Sequence, residues 1–219
     1  MLNKLLIVNA TPKNDGLCYS FVEAATEAAT SLGLESETIR LAGYGLKKCA
    51  MCHDGWGICF KQHKCIVGDK DGFSSLQNLV SDADAFVYIT PVYWGEISEE
   101  LKIFWDKLRR CESTKQWNGK ADCESAHKNK PSIIVASAGG GGGGIISTLA
   151  AMERAIDQLG EHTGCMNGTA GLFDYIAVNR WNQEYKREAL KAAIAAMTAI
   201  NRDNKPPATM NHLADLEKF

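Results

Sequence analysis

The sequence predicts an α/β protein built on a doubly wound, five-stranded parallel sheet with helices on both faces. Two observations predict it. Short, continuously apolar runs alternate with longer stretches in which apolar residues recur every three or four positions, and several of the runs end at a polar or proline-containing turn. A run apolar at every position suits a strand buried on both sides, as a parallel sheet requires. Strands alternating with helices imply right-handed crossovers that cover both faces.

Residues 5–8 (Leu5, Leu6, Ile7, Val8) form the first strand, ended by Asn9-Ala10-Thr11-Pro12. Over 17–32, Phe21, Ala24, Ala25, Ala28 and Leu32 recur at helical steps, and Gly33 stops the helix. Residues 35–41 are the second strand, with Thr38 and Ile39 as its β-branched members. A Cys-rich loop at about 47–70 leads to a helix over 73–80. The third strand, 85–89, closes at Thr90-Pro91, and Ile97, Leu101, Phe104, Trp105 and Leu108 mark a helix over 97–110. A polar stretch at about 111–131, with the turn signal Asn118-Gly119, reads as a loop or insertion. Residues 132–137 are the fourth strand and run into six glycines, Gly139 to Gly144. A helix over 145–159, a last strand within 165–178, an Ala-rich helix over 184–200 and a polar tail opened by Pro206-Pro207 complete the chain.

At 219 residues the chain reads as a single domain, 1–219. Its 24 Lys and Arg against 26 Asp and Glu give a net charge of −2, which excludes a basic face that would make nucleic acid the default partner. No apolar run approaches the ~20 residues of a membrane span. The first residues read as a strand and not a signal peptide, which places the protein in the cytoplasm. Eight cysteines in a reducing compartment are not a disulfide framework.

In an open doubly wound sheet, ligands sit beyond the carboxyl ends of the strands, and three strand ends carry unusual chemistry. After the first strand, Thr11, Lys13, Gly16, Leu17 and Cys18 combine a hydroxyl, a cation, a glycine turn and a helix start, the ingredients of a phosphate pocket. An ordinary βα turn would read the same way. After the third, Thr90-Pro91-Val92-Tyr93-Trp94-Gly95 offers a flat apolar wall, or two aromatics that merely cap the core. After the fourth, the glycine run Gly139 to Gly144 brings backbone close to a ligand, or forms a flexible loop. Gly139, Gly141 and Gly144 match a dinucleotide fingerprint, but six glycines match almost any spacing and the fingerprint belongs to the first βα turn. Together the three loops outline a pocket with a monophosphate end and an aromatic end, which suits flavin mononucleotide (FMN) better than a dinucleotide.

The run Asn-Ala-Thr-Pro-Lys-Asn-Asp-Gly at 9–16 resembles the phosphate loop of the NADPH-dependent FMN reductase and iron–sulfur flavoprotein group. Thr-Pro-Val-Tyr-Trp-Gly at 90–95, followed by Leu101-Lys102 and Asp106-Lys107, is similar to that group's flavin-ring loop and helix, and Ala138-Gly139-Gly140 to its third flavin loop. The resemblance covers roughly 5–180 and implies a flavodoxin-like topology. It also implies that Thr11, Lys13, Gly16, Leu17 and Cys18 hold the phosphate, and that Pro91 to Gly95 and Ala138 to Gly141 line the ring and ribityl chain. The sequence departs at Ala10, Thr11 and Lys13, and Leu17 and Cys18 replace the usual polar pair.

Cys49, Cys52, Cys59 and Cys65 place four thiols within 17 positions. Thiolates bind soft metals, so Zn²⁺ or a [4Fe–4S] cluster is one reading. A redox dithiol at Cys49 and Cys52 is another, and four ordinary thiols a third. Iron–sulfur flavoproteins resemble this stretch, but their third cysteine lies closer to the second.

The expected activity is an FMN-dependent NAD(P)H oxidoreductase that passes electrons to a small-molecule or protein acceptor. FMN carries the hard chemistry, so no acid–base residue is assigned. A flavodoxin-like electron carrier or flavin-binding regulator is the alternative, and a dinucleotide-binding dehydrogenase a third. A stretch at about 111–130, with Trp117, is expected to cover the ring. FMN sites in related folds lie at subunit interfaces, which implies a homodimer or homotetramer.

Overall fold

The computed structural model describes residues 2–53, 58–117, 124–160 and 171–202, and there five parallel strands form one sheet in the order β2-β1-β3-β4-β5. The strands are β1 (Lys4–Asn9), β2 (Glu35–Arg40), β3 (Ala85–Pro91), β4 (Pro131–Ser137) and β5 (Gly171–Val178). The helices are α1 (Leu17–Ser31), α2 (Ile58–Gln62), α3 (Phe73–Asp82), α4 (Glu99–Trp117), α5 (Ile145–Gly160) and α6 (Gln183–Arg202). This is the flavodoxin-like arrangement.

Alternation along each strand sorts the core into two layers. Leu6, Val8, Phe86, Tyr88, Ile134 and Ala136 point to the face covered by α3, α4 and α5. Leu5, Ile7, Val87, Ile89, Ile133 and Val135 point to the face covered by α1 and α6. Every residue of β3 and β4 is buried, which accounts for their unbroken apolar sequences. No helix among the described residues is long and apolar enough to cross a membrane.

The layout departs from expectation after Arg110. α4 continues to Trp117, and the polar sequence there conceals buried structure. Cys111 and Glu112 are fully buried. The Glu112 carboxylate accepts hydrogen bonds from Gln77 Nε2 (2.9 Å) and the Ala126 N–H (2.7 Å), and it pairs with Lys115 at 2.8 Å. His127 is buried against Phe86, with ring centroids 4.3 Å apart, and its Nε2 lies 2.7 Å from the Tyr88 hydroxyl. The described part of 111–131 is therefore not a polar insertion over the site; it closes the core beside β3. The Trp117 side chain and residues 118–123, Cys123 among them, lie outside the described residues. So do residues 54–57, residues 161–170 with Cys165, and the tail after 202. The Cys-rich stretch also differs from a plain loop, since Ile58–Gln62 winds into the short helix α2, packed on α4.

Candidate functional site

The strand order reverses between β1 and β3, so the chain leaves these neighbours in opposite directions and opens a crevice at their carboxyl ends. The loop after β1 is braced from within. Asn9 Oδ1 accepts the Thr11 N–H at 3.0 Å, and Thr11 Oγ1 accepts the Lys13 N–H at 3.3 Å. Arg40, at the end of β2, donates from Nη2 to the Pro12 carbonyl at 2.5 Å, which sets a second cation beside the loop. Its Nε is buried with no hydrogen-bond partner among the described residues. Gly16 takes φ 86°, a left-handed conformation that favours glycine, and no side chain caps α1. The positive end of that helix is thus left without an internal acceptor.

The loop after β3 is tied to the first. Thr90 is fully buried, and its hydroxyl accepts the Ser98 N–H at 3.0 Å. Ser98 Oγ donates to the Ala10 carbonyl at 2.8 Å. Beyond Pro91, Tyr93 and Glu96 exchange backbone hydrogen bonds of 3.0 and 2.9 Å around Trp94 and Gly95. Both central residues have positive φ, 53° and 79°, as a tight I′-like turn demands. For tryptophan this conformation costs on the order of 1–2 kcal/mol. Trp94 is nonetheless 103% exposed and Tyr93 43%, so neither ring caps the core. Burial, then the nearby Cys18 and Glu100, raises the pKa of the Tyr93 hydroxyl.

The loop after β4 meets the other two. A Cβ on Gly144 would lie 2.4 Å from Gly95 Cα, so the two backbones touch. Ser147 Oγ adds a 2.6 Å hydrogen bond to the Gly95 carbonyl, and the Val92 N–H donates to the Ser137 carbonyl at 2.8 Å. The Cys18 thiol is hydrogen-bonded to the Ser137 side chain; burial pushes its pKa up to about 11, with Ser137 pulling the other way. It stays protonated at neutral pH and joins α1 to β4. Side chains on Gly139, Gly140 and Gly143 would meet nothing within 4 Å. Gly144 is required by protein packing, whereas those three leave open space.

The three loops named from the sequence therefore converge on one edge of the sheet. Lys13, Gly16, Tyr93, Trp94, Gly139, Gly140 and Gly141 face outward there. Thr11, Thr90 and Ala138 are buried, as is the Cys18 side chain, so they build the loops from beneath. Sequence reasoning missed Arg40, Ser98, Ser137 and Ser147. A serine or arginine in an ordinary position carries no signal of its own.

An FMN-sized group fits the donor set: an uncapped helix start with Lys13 and Arg40 at one end, and exposed aromatics with side-chain-free backbone at the other. Cys59 and Cys65 pack against the core, and burial, followed by Cys52 and Cys49, raises the pKa of Cys59. Yet among the described residues no three His, Cys, Asp or Glu side chains converge as a metal site, unlike the four-ligand set that zinc requires.

The family model described as NADPH-dependent FMN reductase matches residues 3–163. An iron–sulfur flavoprotein of Methanocaldococcus jannaschii is 30% identical over 107 residues, 48% of this chain and 52% of that protein. The chain spans about half the length of the curated relatives it matches. Among solved structures, an NAD(P)H:quinone oxidoreductase from Methanothermobacter marburgensis aligns over 88% of this chain and 94% of its own, with TM-score 0.64 and 15% identity. An FMN-dependent NADH-azoreductase from Bacillus anthracis, in complex with FMN, aligns over 90% and 99%, with TM-score 0.62 and 12% identity. At such identities the structural likeness speaks to the fold.

Proposed function

Because this chain belongs to the NADPH-dependent FMN reductase family, we propose that it is an FMN-dependent oxidoreductase that oxidises NAD(P)H and reduces a small-molecule or protein acceptor. The observation that carries this is the convergence of three loops on one crevice, cationic at the β1 end and aromatic at the β3 end. Bound FMN would supply the redox chemistry, which no side chain of this chain provides by itself. The protein's part is to bind, orient and shield it.

In this proposal the uncapped start of α1 and the N–H groups of Leu17 and Cys18 receive the phosphate. Thr11 holds the loop in shape, and Lys13 and Arg40 add positive charge. The stretch Pro91, Val92, Tyr93, Trp94 and Gly95 forms one wall of the ring slot, and Ala138, Gly139, Gly140 and Gly141 the other. Thr90 acts from beneath, through Ser98. No side chain is given a proton-transfer role. Cys49, Cys52, Cys59 and Cys65 are given no step in it. The fully exposed Trp94 and half-exposed Ile146 fit a homodimer or homotetramer that covers the slot in a cytoplasmic protein.

The test is anaerobic addition of NADH or NADPH to the FMN-loaded protein. Stoichiometric bleaching of the flavin band is expected. Tight FMN binding without bleaching would make the protein an electron carrier or flavin-binding regulator, although a net charge of −2 gives little electrostatic steering for that task. Failure to bind FMN at all overturns the proposal.

A further inference from the structure

The turn between β5 and α6 carries an aromatic platform that the FMN slot does not use. Asn179 and Asn182 lock it reciprocally. The Asn179 N–H donates to Asn182 Oδ1 at 2.9 Å, while Asn179 Oδ1 accepts from the Trp181 N–H (2.9 Å) and the Asn182 N–H (3.1 Å). Asn182 Nδ2 also reaches the Ala177 carbonyl at 3.3 Å. Such Asx bonds mimic the hydrogen bonds of a backbone turn.

On this pinned turn Trp181 is 71% exposed. A Cβ on Gly141 would lie 3.5 Å from its ring, so the indole stands against the glycine strip at the edge of the crevice. Arg180 is exposed too, with its guanidinium 5.7 Å from the centre of the indole. Lys186, one turn into α6, sits 5.6 Å over the Tyr185 ring. The carboxylate closest in sequence, Glu184, lies 3.9 Å from Arg187. The turn thus presents a large indole to water, apolar area that aromatic side chains ordinarily bury. Beside it, Gly139 and Gly140 leave the space open.

We infer that Trp181 and Arg180 form a subsite for a planar aromatic anion, a fused ring bearing a carboxylate or sulfonate, which the protein takes as its electron acceptor. The indole supplies a stacking face beside the glycine wall of the flavin slot, and the planar guanidinium fork matches a carboxylate or sulfonate. The acceptor role rests on the function proposed above; the binding does not.

The test uses 2-naphthalenesulfonate, an anion the flavin does not reduce, titrated calorimetrically into the full chain with and without FMN. Trp181→Ala is expected to weaken binding about tenfold, and Trp181→Phe to retain most of it. Arg180→Gln is expected to weaken the sulfonate roughly three- to tenfold while leaving neutral 2-naphthol unchanged. FMN affinity, read by flavin fluorescence, stays constant in all three variants. Equal sulfonate binding by wild type and Trp181→Ala overturns the subsite. So does a Trp181→Ala change confined to oligomeric state, which would mean that a second copy covers the ring. Loss of FMN binding by the wild type would strike the function proposed above, while the FMN-free titration still decides the subsite.

Discussion

Gly95 and Gly144 touch backbone to backbone, and an added Cβ on Gly144 would lie 2.4 Å from Gly95 Cα at a φ of +82°. Both the overlap and the left-handed φ oppose any side chain, so Gly144→Ala should cost roughly 1–3 kcal/mol in chemical denaturation and weaken FMN binding by moving the two loops apart. At the other end of the crevice, Lys13 is exposed and Arg40 is anchored to the Pro12 carbonyl. Lys13→Ala should reduce FMN affinity roughly three- to tenfold with little change in stability, because an exposed cation near a helix start contributes modestly. Unchanged affinity by flavin fluorescence would remove Lys13 from the site. Lys13, Tyr93, Trp94 and the glycines were legible as exposed loop residues, since loop position and residue type announce that placement. Arg40 and Ser98 were not: a hydrogen bond from Ser98 to Ala10 spans 88 positions, and nothing local marks it.

Helix α4 and the segment after it form the element in which polarity misleads most. Lys107 is buried in an ion pair with Asp71, whose carboxylate also accepts the Lys47 N–H at 3.0 Å. Burial alone would raise the Asp71 pKa, but the Lys107 hydrogen bond and the backbone donors outweigh it and hold it below the usual carboxylate range. Its contribution to stability is therefore full at neutral pH and is lost as pH falls below ~4 through the folded-state value. Lys107→Met, which leaves that carboxylate buried and unpaired, should cost about 3–5 kcal/mol. His127 works in the same acid direction by a different route. Burial, with Lys130 and Lys115 nearby, depresses its pKa to about 3, so the folded protein keeps it neutral while the unfolded chain takes a proton near the ordinary value. Between ~6.5 and 3, stability should fall by up to about 1.4 kcal/mol per pH unit from this group. Urea melts across that range should show a shallower slope in His127→Phe.

For the molecule as a whole, a ligand that binds only the folded chain stabilises it by mass action, about 2.7 kcal/mol at a hundredfold excess over Kd. FMN should raise the melting temperature of the wild type accordingly, and less so for Gly144→Ala; an unchanged melting temperature would count against the site. The sequence by itself determined the α/β class, the parallel five-stranded sheet and the three strand ends that carry the crevice. Apolar runs such as 85–89 and 133–136 show their burial directly, because a strand covered on both faces leaves few polar positions, and glycine and proline mark where the chain must turn. Only the tertiary structure decided that α4 continues to Trp117, that Glu112 and His127 belong to the interior, and that Trp181 stands beside Gly141. A charged residue is indifferent to burial until its partner is in place, and those partners come from strands and helices far along the chain. Hydrophobic periodicity is a local quantity; the satisfaction of buried polar groups and the meeting of separate loops are not.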